Sequence, residues 1–253
     1  MLAALERSGK AENTLILYLG DHGPDFLRGK RTCYEAGVRV PMIAQWAGRW
    51  KPGQVCEELV STIDLAPSFL SAAQAPPLER TAGQSLLPLL DGGEPEWRRF
   101  LFTEFHTHAA KPNFYPQRAV RDARYKLIEN LMPGVENPGY DFTNKEFDSV
   151  PAAVEAAPPE VREAYRRMKT PPRYELYDLR TDPYEFRDLS ESPEHAAALA
   201  ELAKALDEWR HDSQDPLLDA EALDRLREEV CQFSKKKDAK AHKWAYPEYF
   251  FRS

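Results

Sequence analysis

The stretch Leu15-Ile16-Leu17-Tyr18-Leu19-Gly20-Asp21-His22-Gly23 runs as an apolar strand and then stops on a carboxylate, an imidazole and a glycine. A strand of this composition reads as buried on both faces of an α/β sheet, and its C-terminal tip is where such a sheet offers polar groups to a ligand. Asp21 and His22 are therefore candidate metal ligands. A hard divalent cation needs several oxygen donors, so Asp21 alone does not build a site, and His22 shifts the preference toward softer metals. The plainer alternative is that Asp21 caps a turn and His22 packs.

Downstream come Gly29-Lys30-Arg31-Thr32 and then Tyr34-Glu35-Ala36-Gly37-Val38-Arg39-Val40-Pro41. Gly29 lets the backbone turn closely and place the Lys30 ammonium group inward. Upstream, Met1 to Lys10 reads as the tail of an amphipathic helix, with Ser8-Gly9 and Asn13 marking its exit into the strand; it lacks the basic start and long apolar centre of a signal peptide. A second strand is expected from Val40 to Trp46 and a helix from Ser61 to Ala73, entered through Asp64-Leu-Ala-Pro67. These elements together predict a βαβ-type piece of a parallel sheet.

From Arg98 onward the pattern changes. Phe100 to Phe105, Arg118 to Ile128 and Tyr174 to Leu179 are short aromatic and β-branched runs suited to antiparallel strands, with Asp122-Ala123 as a hairpin turn. Ala197, Leu199, Leu202, Leu206 and Trp209 recur at helical spacing, which predicts a helix over 193–211 laid on a sheet with those residues in the core. Residues 132–172 are polar and proline-interrupted, and read as an insertion with a helix over 159–168. The basic run 234–243 reads as a solvated tail.

Through these residues the chain resembles the sulfatase family of the alkaline-phosphatase-like superfamily. Its Asp21-His22, its Gly29-Lys30-Arg31-Thr32 and its Tyr34–Pro41 segment match that family's motifs, with Ala36 in place of a glycine. Tyr115-Pro-Gln-Arg-Ala-Val120, Tyr174-Glu-Leu-Tyr-Asp178, Asp182-Pro-Tyr-Glu185 and the Trp209–Pro216 end are similar to the heparan N-sulfatase (sulfamidase) branch. The resemblance implies a partial parallel-sheet α/β core over 1–97 and a small antiparallel sheet with a packed C-terminal helix over 98–216; beyond it, residues 217–253 read as a helical, basic tail. It implies Asp21 and His22 as ligands of a calcium ion, and Lys30 as a group that contacts sulfate and helps the leaving oxygen depart. Glu35, Arg39 and Pro41 are expected to be scaffolding, with Glu35 and Arg39 paired. His106 and His108, two apart after a strand, are candidate contacts to an anion or a sugar hydroxyl of a sulfated sugar.

The composition agrees with a globular chain acting on a small ligand. At 253 residues and 42% hydrophobic content it can bury a core, and its net charge of −7 argues against a nucleic-acid surface. No apolar run approaches the roughly eighteen residues of a membrane span. Cys33, Cys56 and Cys231 are odd in number and widely spaced, which fits free thiols and neither a disulfide framework nor a zinc site.

Sulfatases attack with a formylglycine made in a Cys/Ser-x-Pro-x-Arg segment, and these residues contain no such segment. The expectation is a C-terminal portion of such an enzyme, inactive by itself, with a separate N-terminal half as the candidate partner that completes it. A phosphoester or phosphonate hydrolase of the same superfamily, or a non-catalytic binding module, are the competing readings. By resemblance, complete relatives are often exported or lysosomal.

Overall fold

The computed structural model describes residues 1–108, 110–141 and 149–250, which leaves part of the expected 132–172 insertion and the last three residues outside. The chain divides into two compact units, one formed by residues 1–21 and 40–101 and the other by 22–39 and 102–253. The mixed α/β class and the later antiparallel sheet are as the sequence implies.

In the first unit a helix, Leu2–Arg7, leads to β1, Leu15–Leu19, which pairs with β2, Met42–Trp46. The pairing is antiparallel, with Leu17 opposite Ala44 and Tyr18 opposite Ile43. This corrects the βαβ expectation for these neighbours. A parallel crossover needs a connection of a dozen or more residues that usually carries a full helix, whereas the only α-helix between β1 and β2 is the single turn Glu35–Val38.

Asp64 enters the helix Leu65–Ala72 as expected, and its surroundings explain why the position is structural. Its carboxylate is fully buried and accepts from the amides of Ser61 and Gln84 at 2.8 and 2.9 Å. It also takes both arms of the Arg98 guanidinium. A carboxylate so occupied satisfies free helix-entry amides and holds the incoming chain at the same time.

The second unit is built on a four-stranded sheet in the order β3-β4-β5-β6: Leu101–Thr107, Phe114–Arg121, Tyr125–Asn130 and Tyr174–Asp178. The β4–β5 hairpin turns on Asp122, whose side chain accepts from the amides of Arg124 and Tyr125 at 2.7 and 2.6 Å. Strand β4 is buried at all but its last residue, so both faces are covered. Cys33 and Tyr34 pack with Ala119, Ile128 and Tyr177. The helix Ala220–Cys231 places Leu226 and Val230 against Phe114, Tyr115 and Met132.

The helix expected over 193–211 is present as Ala196–Asp212 after a short 3₁₀ turn. Leu202 and Leu206 are core, and Trp209 stacks flat on Phe102 with ring centres 4.9 Å apart. Ala197 is exposed and Leu199 only half-buried, so the apolar stripe begins a turn later than its spacing predicts. The insertion forms helices Ser149–Glu155 and Pro159–Lys169. The basic run keeps Lys235, Lys240 and Lys243 exposed but folds back on the chain, with Ala239 buried and His242 and Trp244 packed with Phe233. Glu229 anchors this return by accepting from His242 Nε2 at 3.1 Å and from the Tyr246 amide at 3.0 Å.

Candidate functional site

The turn after β1 is shaped by its own backbone. The Pro24 carbonyl accepts from the amides of Phe26 and Lys30 at 2.9 and 2.8 Å, and the Gly29 amide donates to the Phe26 carbonyl at 3.1 Å. A side chain at Gly29 would place its Cβ 2.1 Å from the Pro24 oxygen, so only glycine closes the turn this tightly. Thr32 Oγ1 donates to the Gly29 carbonyl at 2.7 Å and ties the far end.

Arg28 and Arg31 flank Gly29-Lys30 with φ of 62° and 76°, a left-handed conformation that side chains other than glycine adopt at a cost. Arg28 is buried, and its guanidinium lies 3.7 Å over the Tyr34 ring. Arg31 donates to Asn113 Oδ1 at 2.5 Å and pairs with Asp25. Lys30 is half-buried and, with Arg31, Phe26, Phe105, Asn113 and Tyr115, lines a small cleft whose enclosed space is about 20 Å³, room for roughly one water.

Glu35 is scaffolding, but its partner is not Arg39. Its oxygens take Lys126 Nζ at 3.0 Å and Arg121 Nη1 at 2.8 Å, while Arg39 is exposed and adds only a weaker field. Burial opposes its ionisation, and Lys126 and Arg121 outweigh that and hold it below the usual carboxylate range. Glu185 closes the cluster from the other side, accepting from the Glu35 amide at 2.6 Å and standing 3.2 Å from Lys126. Burial raises its pKa, with Glu35 adding to the effect. The resemblance places a glycine where Ala36 stands; Ala36 is exposed, so its methyl group has room.

Asp21 and His22 are both exposed at the strand tip, and His22 Nδ1 lies 2.7 Å from the Gly23 carbonyl. Among the described residues no group of three or more His, Cys, Asp or Glu side chains is placed to hold a metal ion. His106 sits on β3 with Nε2 3.3 Å from Glu104 and its ring 5.5 Å from that of Phe250. His108 lies past the strand end, where its amide donates to the Asn113 carbonyl and its carbonyl accepts from Asn113 Nδ2. Neither histidine is among the residues lining the cleft.

Cys33 is buried, and burial pushes its thiol up to about 11, which keeps it protonated near neutral pH and unsuited to attack. Sequence reasoning missed Arg28, Arg31 and Asn113. Arginines directly beside Gly29-Lys30 were the available signal, whereas nothing local marks Asn113 as the link between His108 and Arg31.

The family described as N-sulphoglucosamine sulphohydrolase, C-terminal, matches residues 20–151. An ulvan-active sulfatase of Formosa agariphila is 32% identical over 221 residues, covering 83% of this chain and 35% of that protein. The human N-sulphoglucosamine sulphohydrolase is 28% identical over 236 residues, covering 85% of this chain and 45% of that protein. The chain thus spans less than half the length of these curated relatives. A solved structure described in complex with its substrate D-glucosamine-2-N,6-O-disulfate superposes with a TM-score of 0.61 at 23% identity, over 85% of this chain and 37% of that one. At that identity the likeness speaks for the fold.

Proposed function

Because this chain belongs to the sulfatase family, whose N-sulphoglucosamine sulphohydrolase C-terminal region it carries, we propose that it supplies Lys30 and a cleft wall to a sulfuric ester or sulfamate hydrolase acting on sulfated sugars. The observation that carries the reading is the match over 20–151, which takes in Asp21, His22 and the turn that fixes Lys30.

Sulfuryl transfer builds negative charge on the nonbridging and leaving oxygens. A cation held beside them stabilises the transition state more than the ground state, and Lys30 has that role. A rigid turn suits it, since a fixed donor pays no reorganisation when charge develops. Asp21 and His22 are two ligands of a divalent cation, calcium by resemblance, which would neutralise charge on the sulfate; the remaining ligands come from outside these residues. His106 and His108 are sugar contacts, in keeping with their position on and just beyond β3. The 253 residues hold no Cys/Ser-x-Pro-x-Arg segment, so hydrolysis belongs to the complete enzyme, and these residues alone release no sulfate.

The test is sulfate release from N-sulfated and O-sulfated glucosamine by the complete enzyme, with Lys30→Ala beside the parent. A loss of roughly 10²–10³ in kcat is expected, the range for removing one transition-state donor. An unchanged kcat would remove Lys30 from the chemistry.

A further inference from the structure

The inference concerns how Lys30 is held, and so rests on the reading of Lys30 above. We propose that Arg28 is a positioning residue for Lys30, bolting the 24–32 turn to the helix Pro159–Lys169 and to the chain at Glu185. The 132–172 insertion thereby acquires a role, which is to help set where the ammonium group stands.

Three contacts argue for a clamp. Arg28 Nη1 reaches the Ala164 carbonyl at 3.5 Å, Nη2 donates to the Glu185 carbonyl, and the guanidinium face lies 3.7 Å over Tyr34, with the Tyr177 and Phe186 rings at 5.9 Å. Rings and carbonyls from separate chain segments fix a planar fork in orientation as well as position, which a lysine at the same place does not reproduce. The insertion also brings Asn137 and Met168 to the wall of the cleft that Lys30 lines.

The backbone supports the same conclusion. Left-handed arginines at 28 and 31 are strained and persist only where the surroundings over-determine them. Here each is anchored, Arg28 by the clamp and Arg31 by Asn113 and Asp25. Gly29 and Lys30 are caught between the two anchors, and the Lys30 amide is fixed on the Pro24 carbonyl at 2.8 Å. A charge that must meet a developing charge loses rate steeply with displacements of about 1 Å, so fixing the turn is worth rate and not only stability.

The experiment is a double-mutant cycle on kcat for sulfate release by the complete enzyme, using Arg28→Lys and Lys30→Ala, with amide exchange at Lys30 as a second readout. Arg28→Lys should lower kcat by roughly tenfold with KM within about twofold, and should change kcat by less than about twofold when Lys30 is already alanine. The Lys30 amide should exchange at least about tenfold faster in Arg28→Lys while the β5 amides keep their protection. Equal losses in both backgrounds, an unchanged kcat, unchanged Lys30 protection, or an Arg28→Lys protein that does not fold would each make Arg28 a merely structural group and overturn the proposal. If Lys30→Ala keeps full activity, the reading of Lys30 fails as well, a result separate from any effect of Arg28.

Discussion

Arg118 and Asp215, 97 residues apart, meet in a two-pronged pair: Nε to Oδ2 at 2.9 Å and Nη2 to Oδ1 at 2.7 Å. Both side chains are essentially sealed from solvent. Asp215 also accepts from Arg210 Nε at 2.8 Å and from the Leu217 amide at 3.0 Å, and Arg210 continues to Glu129 at 2.9 Å. The network joins β4, β5, the helix Ala196–Asp212 and the turn after it. A buried pair adds little net stability against an apolar pair of the same shape, but removing one member leaves the other uncompensated.

Asp215→Ala should therefore destabilise the protein by about 3–5 kcal/mol, read as a lower urea midpoint. Replacing Arg118 and Asp215 together with apolar residues should recover part of that loss, because no lone charge is then stranded. A double variant as unstable as the sum of its singles would show that the two side chains act independently.

The acid limb of stability follows from the same carboxylate. Burial works against the Asp215 charge, yet the Arg118 hydrogen bond and field, with the Leu217 amide and Arg210, outweigh burial and depress the pKa. A depressed carboxylate contributes stability above its ordinary value, 3.8 for an aspartate, and that contribution fades as pH falls through the folded value. Glu35 acts in the same sense, from an ordinary value of 4.5. The parent Tm should fall on acidification below these values, and Asp215→Asn should be less stable near neutral pH with a shallower acid limb. Parallel Tm-against-pH curves would refute this.

Glu185 has the opposite sign. Its raised pKa means that it contributes stability below its ordinary value of 4.5 and loses it as pH rises through the folded value. The Tm difference between Glu185→Gln and the parent should therefore move in the variant's favour as pH increases from about 4.5. A difference that is flat or moves the other way would mean that the Lys126 pair, and not burial, governs this group.

Asp64 offers a check on structure against chemistry. With Arg98 and the amides of Ser61 and Gln84 all drawn to it, Asp64→Ala should cost about 3–5 kcal/mol by chemical denaturation. kcat per folded molecule should stay unchanged in the complete enzyme. A specific loss of kcat at full folding would give Asp64 a part in the chemistry and overturn its purely structural reading.

These networks also mark what the sequence could disclose. The strand ending at Leu19, the Asp122 turn and the helix beginning near Pro193 were legible because each is fixed by local periodicity or turn chemistry. The antiparallel sense of β1 and β2 was not, since a run of apolar residues looks the same in either pairing. Arg118, Lys126, Glu175 and Arg210 are charged residues, a class that composition alone puts at the surface, yet all are buried. Their partners lie far away in sequence, as when the Tyr34 hydroxyl donates to Glu175 at 2.7 Å, and no spacing rule predicts such a pair. At the site, the motif pointed to Lys30 and put an arginine beside it, whereas the contacts of Arg28 and the part played by Asn113 emerge only from the folded turn and its neighbours.

Gly29 and Ala36, two small residues of the motif, stand in contrasting surroundings. Pro24 O, which a Gly29 Cβ would approach to 2.1 Å, is also the acceptor of the Lys30 amide, so a methyl group at Gly29 cannot be accommodated without breaking the bond that places Lys30. Gly29→Ala should accordingly lower kcat of the complete enzyme by roughly tenfold or more, a displacement effect of the size expected when a fixed charge moves by about 1 Å. Ala36→Gly restores the residue that the sulfatase motif carries there, at an exposed position in the turn Glu35–Val38. It should cost about 0.5–1 kcal/mol of stability through chain entropy and leave kcat within about twofold. Measured side by side, equal effects of the two substitutions on kcat would show that the tight turn at Gly29 is not what sets the rate.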